Sequence, residues 1–239
     1  MPTIQVNDIH IYYEIRGEGE PLVLIAGLST DIIAYGRIIG ELSQTYRVIA
    51  FDNRGAGRTD KPDIPYSIEM MANDTAGLLN ALDIEQAHIL GISMGGRIAV
   101  DLTLRYPELV KSLLLVSTFV SRFPFNQLGL RQRLMLNMPF LRKMGKKYPQ
   151  PDYAFSRQRS ASRNYDATDR LHEIHVPTLI LHGKKDTLAP YRLAEEMHAG
   201  IPGSKMIMFN GGHMFFLFFQ QQQFLDAVFD FLASIQEKM

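Results

Sequence analysis

Six short apolar runs recur along the chain and alternate with stretches of helical spacing, and this rhythm limits the fold more than any other feature. The runs cover residues 22–26, 48–51, 88–92 and 113–116, then, much later, 178–181 and 205–209. The first four are rich in β-branched residues and are closed by Gly, Asp or Ser, as buried strands are. Helical spacing fills residues 68–82, 97–105, 191–198 and 221–235; in the last, Phe224, Leu225, Val228, Phe231 and Leu232 share one face. Continuously apolar strands separated by helices predict an α/β fold: a mostly parallel sheet covered by helices on both faces. Two alternating segments before Gly17 predict an antiparallel hairpin at its edge.

The rhythm breaks between residues 120 and 169, where prolines stand at 124, 139, 149 and 151 and no apolar strand occurs. This predicts a core from residues 1–119 and 170–239, with residues 120–169 inserted as a short helical lid. Leu130, Leu134, Met138 and Leu141 have helical spacing across a break at Pro139. Residues 121–163 hold ten Lys or Arg and one acid, Asp152, a net of +9 in a chain whose total is zero. A neutral chain has no global field to hold nucleic acid, so no nucleic-acid partner is expected. With no cysteine there is no disulfide, thiolate metal site or cysteine nucleophile. No run approaches the roughly 18 apolar residues of a membrane span. The N-terminus lacks the basic-then-apolar pattern of a signal peptide, so a cytoplasmic location without a membrane span is expected.

The stretch GISMGG, Gly91 to Gly96, stands where the third run hands over to a helical pattern. It fits GxSxG in the context that motif needs, a strand before and a helix after. A turn this sharp crowds the chain on both sides, so the positions two before and two after the serine tolerate little but Gly. It would hold Ser93 Oγ at the C-terminal edge of the sheet, where open α/β sheets place ligands. A serine hydroxyl is a weak nucleophile at neutral pH and needs a base, and the base needs an orienting carboxylate. The fifth run leads into HGKKD, ending at Asp186, and the sixth into NGGH, ending at His213. The order Ser93, Asp186, His213 is the one expected of this architecture. The position after residues 113–116 carries Ser117-Thr118-Phe119 and no acid. Asp186 also precedes Thr187 and a helical pattern, so a turn or cap role competes with catalysis.

Two backbone N–H groups could hold an oxyanion: that of Met94, directly after the serine, and that of Leu28, in the loop after the first run. Among the other histidines, His88 and His182 sit at a strand's start and end, where a buried ring with a backbone partner is expected. His10, His172, His175 and His198 fall where solvated or structural rings are usual. No group has metal-ligand spacing and no GxGxxG dinucleotide signature occurs, so neither metal nor cofactor is expected.

In PLVLIAGLS, FDNRGAGRT, LGISMGGRIA, VPTLILHGKKDTLAP and FNGGHMFF the chain resembles the α/β-hydrolase superfamily, in particular its small esterase, enol-lactonase and cofactor-free haloperoxidase-like group. The resemblance spans almost the whole chain and implies a Ser–His–Asp hydrolase with an acyl-enzyme intermediate, no cofactor and a lid at residues 120–169. Asp52 and Arg54 of FDNRGAGRT read as structural, bracing the active-site edge. Many members carry His-Gly where this chain has Ala26-Gly27; the backbone donor survives, but a side-chain anchor for that loop is lost.

Carboxylic ester hydrolysis is the first expectation, on a small-molecule ester or lactone. Phe123, Phe125, Leu134, Met138 and Phe140 are candidates to line the acyl or alcohol site, or merely to pack the lid on the core. An enol-lactonase acting on an anionic lactone is the nearest alternative, with Arg131, Arg133 or Arg157 binding its carboxylate. Carbon–carbon bond hydrolysis, perhydrolysis and a low-turnover ligand receptor stay open on the same residues. Oligomeric state is left open.

Overall fold

The computed structural model describes residues 2–122 and 147–236. Eight strands form one sheet in the order β1-β2-β4-β3-β5-β6-β7-β8. They are β1 (Thr3–Val6), β2 (Ile9–Arg16), β3 (Pro21–Ile25), β4 (Arg47–Phe51), β5 (Ala87–Ile92), β6 (Val110–Val116), β7 (Thr178–Gly183) and β8 (Lys205–Phe209). β2 pairs antiparallel with both β1 and β4, and the remaining pairings are parallel, as the two sequence patterns require.

Alternation along each parallel strand feeds two cores. Val23, Ile25, Ile49 and Ile89 point to one face, where α2 (Ile68–Ala81), α3 (Met94–Arg105) and α5 (Tyr191–Gly200) cover them. Leu22, Leu24, Val48 and Leu90 point to the other, beneath α1 (Gly36–Leu42) and α6 (Gln221–Gln236). Phe224, Leu225, Val228, Phe231 and Leu232 of α6 are all buried there, so the helical face read from spacing is the packed face. Ser67 starts α2 by accepting the Met70 N–H at 3.0 Å, which satisfies one of the donors a helix start leaves unpaired.

Three details differ from the sequence reading. The helix after β5 begins at Met94, three residues before its apolar periodicity does, because Gly95 and Gly96 carry no side chain to show it. The segment α1 has no clear sequence signature: Gly36 and Gly40 weaken helix propensity, and burial of Ile38, Ile39 and Leu42 against the sheet supplies the stability instead. His88 finds side-chain partners rather than a backbone one, Ser112 Oγ at 2.7 Å and Glu20 Oε2 at 2.9 Å.

Between β6 and β7, the described part of the insertion contains α4 (Asp152–Asn164) and a short 3₁₀ turn at Thr168–Glu173. Phe123, Phe125, Leu134, Met138 and Phe140, with Leu130, Arg131, Arg133 and Leu141, lie outside the described residues. No helix among the described residues is long and apolar enough to cross a membrane.

Candidate active site

Because β3, β5, β6, β7 and β8 are parallel, the loops that follow them open onto one edge. Ser93 follows β5 directly and has φ 56° and ψ −116°, a conformation that costs a non-glycine residue about 1–3 kcal/mol. Hydrogen bonds from both sides hold it there. Its N–H donates to Val116 O at 2.9 Å, and its carbonyl accepts from Thr118 Oγ1 at 2.6 Å and Gly96 N at 3.0 Å. The glycines are needed for close approach: a Cβ on Gly91 would lie 2.5 Å from the Gly95 carbonyl oxygen, and one on Gly95 would overlap the Ile25 carbonyl.

The loops after β7 and β8 are tied to each other, Lys184 N to Phe209 O and Lys185 N to Gly211 O, both at 2.8 Å. Their joining brings Asp186 and His213 together. His213 Nδ1 lies 2.7 Å from Asp186 Oδ2, and its Nε2 lies 3.1 Å from Ser93 Oγ. The aspartate is 5 % exposed, and its other oxygen accepts the N–H groups of Leu188 and Ala189, each at 2.9 Å. It therefore occupies both the turn position and the position behind the histidine. An acceptor-only carboxylate beside Nδ1 fixes the proton on that nitrogen and leaves Nε2 free to accept one from Ser93.

His182 stands behind the same aspartate, its Nε2 2.7 Å from Ala189 O and 3.5 Å from Asp186 Oδ2. Burial holds this ring below the ordinary histidine range, so it is neutral at neutral pH and donates its single N–H to Ala189. The backbone partner expected for His182 is present.

A cavity of about 250 Å³ opens over the serine. Leu28 and Met94 line it with Ser93 and His213, and no acceptor among the described residues takes the N–H of either. A larger cavity of about 490 Å³, between His175, Thr178, Lys205 and Ile235, lies at the opposite edge of the sheet, away from these groups.

The loop carrying Ala26, Gly27 and Leu28 is anchored despite the missing histidine. Asn53 Nδ2 donates to Ala26 O at 2.8 Å, Asp52 Oδ1 accepts from Ile32 N at 2.8 Å, and Gln158 Oε1 accepts from Ser29 N at 3.0 Å. Arg54 faces elsewhere, bonded to both oxygens of Asp74 and of Asp8 over 2.6–2.9 Å. Burial opposes its charge, yet the two carboxylates hold its pKa above the ordinary arginine value. FDNRGAGRT thus braces the site.

Several residues at the cavity were not singled out by sequence. α4 contributes Phe155 and Ser162, β6 is followed by Ser117 and Phe119, and α3 contributes Arg97. The signal for Arg97 was present, since it stands four residues after the serine on the same helix face. Arg157, one of the three candidate carboxylate binders, points outward to Asp63 at 3.2 Å.

Comparison with known proteins places the chain in a family. A family model described as the alpha/beta hydrolase fold matches residues 20–144, and one described as TAP-like protein matches residues 153–237. The chain belongs to the α/β-hydrolase superfamily, and the protein is a hydrolase of that fold. It is 30% identical to the supposed carbamate hydrolase RutD of Azorhizobium caulinodans, over 90% of this chain and 92% of the relative. Among solved structures it resembles an esterase from Exiguobacterium antarcticum (28% identity, TM-score 0.84, 98% of each chain). It also resembles Est816, an N-acyl homoserine lactone degrading enzyme (27% identity, TM-score 0.85, 96% of this chain and all of the other).

Proposed function

We propose that the protein cleaves carboxylic esters of small molecules through an acyl-enzyme intermediate on Ser93. The observation that carries this reading is the unbroken line of contacts from Ser93 Oγ through His213 to Asp186, with a cavity over the serine. In the first step Ser93 Oγ attacks the ester carbonyl as its proton passes to His213 Nε2. Asp186 keeps the ring in the required tautomer and offsets the charge of the imidazolium. The negative charge that develops on the carbonyl oxygen falls to the N–H groups of Leu28 and Met94, the second of them at a helix start where N–H groups lack internal partners. The imidazolium then returns its proton to the departing alkoxide. Water, deprotonated by the same nitrogen, releases the acid and regenerates the serine.

Residues 120–169 act as the lid over a core formed by residues 1–119 and 170–239. The contacts of Phe155, Gln158 and Ser162 support this assignment, because all three reach the cavity or the loop beside it. The similarity to the Exiguobacterium esterase supports ester chemistry, and the neighbour that degrades a lactone fits the same attack on an ester carbonyl.

A panel of chromogenic esters with short and long acyl chains, run beside lactones, carbamates and peracid formation, tests the proposal. Multiple turnover of short-chain esters, lost in Ser93→Ala, is the expected result. Ligand binding without turnover, or turnover that survives Ser93→Ala, overturns it.

A further inference from the structure

Arg97 is a buried cation at the wall of the cavity over the serine, and the reaction just proposed does not use it. The residue is 2 % exposed. Nη1 donates to the Ser162 carbonyl, Nη2 lies 3.5 Å from the Ser121 carbonyl, and the guanidinium carbon stands 4.2 Å from the centroid of the Phe119 ring. Among the described residues, no carboxylate forms an ion pair with it. The acid that acts on it electrostatically, Asp166, spends its oxygens on the N–H of Arg122 at 3.2 Å and on Thr168 N and Oγ1 at 3.0 and 2.8 Å. Neither Asp nor Glu is among the described residues lining the cavity.

A guanidinium taken out of water without a counter-charge is costly, and carbonyl dipoles and an aromatic face offset only part of that cost. Burial pushes the Arg97 pKa down to about 10, so the group stays charged at neutral pH with no ion-pair partner among the described residues. Its placement relative to Ser93 is fixed by the helix. Residues four apart lie one above the other, with the side chain leaning toward the N-terminus, so Arg97 leans toward the serine across roughly one 5.4 Å turn.

We propose that Arg97 binds a carboxylate of the substrate, so that the site selects small monoanionic esters or lactones bearing an acid group a few bonds from the carbonyl attacked by Ser93. The inference rests on Ser93 being the nucleophile, and it supplies the substrate class that the triad alone leaves open. The planar fork of arginine suits a carboxylate in two-point contact, which a lysine could not reproduce. A cavity of about 250 Å³ sets the size at a short diacid half-ester rather than a long acyl chain.

The test compares esters matched in length that differ in the terminal charge, monomethyl succinate against methyl butyrate and monomethyl glutarate against methyl valerate, by methanol release from the full-length protein. The wild type is expected to favour the anionic member by about 10- to 100-fold in kcat/KM, the range of a charged hydrogen bond. In Arg97→Gln that ratio should collapse toward one, mainly through KM of the anionic ester, and Arg97→Lys should recover part of it. A purely structural role would lower both substrates together and leave the ratio unchanged, which overturns the proposal, as does a wild-type preference for the neutral ester.

If neither ester turns over, or if Ser93→Ala retains activity, the serine mechanism fails separately. The carboxylate claim is then read from calorimetric titration of Ser93→Ala with glutarate. Saturable binding lost on adding Arg97→Gln upholds it, and no binding overturns it. Should Arg97→Gln fail to fold, the wild type decides alone: inhibition by butyrate stronger than by butyramide upholds the proposal, and equal inhibition overturns it.

Discussion

The side-chain oxygen of Gln158 accepts the backbone N–H of Ser29 at 3.0 Å, across 129 residues of sequence. The same side chain donates to the Arg54 carbonyl at 2.7 Å and receives Gln150 Nε2 at 2.9 Å. One buried amide therefore fastens α4 to the loop that presents Leu28 and to the loop after β4. With Asn53 and Asp52 it anchors the loop that carries Ala26.

Gln158→Ala should lower kcat about 10- to 100-fold with a smaller change in KM, because the Leu28 donor loses its support. Leaving the Ser29 N–H and Arg54 carbonyl without partners should also cost about 1–3 kcal/mol of stability. Gln158→Glu retains the acceptor for Ser29 but no donor for Arg54, so it should recover much of kcat and less of the stability. Steady-state kinetics and urea denaturation check both; equal losses of kcat for the two variants would argue against anchoring through Ser29.

Asp186→Asn should reduce kcat by about 10⁴-fold, since an amide can present its N–H to His213 and stabilise the wrong tautomer. Secondary structure and melting temperature should change little, because the side-chain oxygen can still accept from Leu188 and Ala189. A variant that melts far below the wild type would reassign Asp186 to the turn rather than the chemistry.

Gly95→Ala should destabilise the fold by about 1–3 kcal/mol, as an added methyl group meets the Ile25 backbone, which cannot move without disturbing β3. For a chain of this size that corresponds to a fall of about 2–4 °C in melting temperature per kcal/mol. Calorimetry reads it directly, and an unchanged melting temperature would mean that the crossing of β3 and α3 is looser than described.

Glu20 accepts from Lys111 at 2.6 Å, His88 at 2.9 Å and Gln236 at 3.2 Å, and these donors, Lys111 foremost, hold its carboxyl at about 2. A carboxyl more acidic in the folded chain stabilises the fold fully above its ordinary range and loses that contribution as pH falls toward its folded value. Glu20→Gln should therefore melt lower than the wild type at pH 7, and the gap should close as pH falls from about 4.5 toward 2. Melting temperatures of both proteins over that window provide the check, and a gap independent of pH would remove charge from the explanation.

Much of the chain was legible because its signals are local. Apolar runs at strand length and the glycines around Ser93 report on neighbours within a few residues, where sequence distance and spatial distance agree. The mostly parallel sheet with its antiparallel edge hairpin, and the candidates Ser93, Asp186 and His213, follow from that kind of pattern. α1 escaped because its few apolar residues carry no period of their own and gain stability only from the sheet beneath them.

What the sequence by itself determined is which strands end in chemically useful residues and in what order. Only tertiary structure decided how side chains distant in sequence meet: that Gln158 accepts from Ser29, that Arg157 turns outward to Asp63 while Arg97 lines the cavity, and that His88 pairs with Ser112 and Glu20. The reason is physical. A backbone pattern is set by short-range sterics and burial period, whereas the partner of a buried polar group is whatever the packed chain brings within about 3 Å, and no local spacing encodes that.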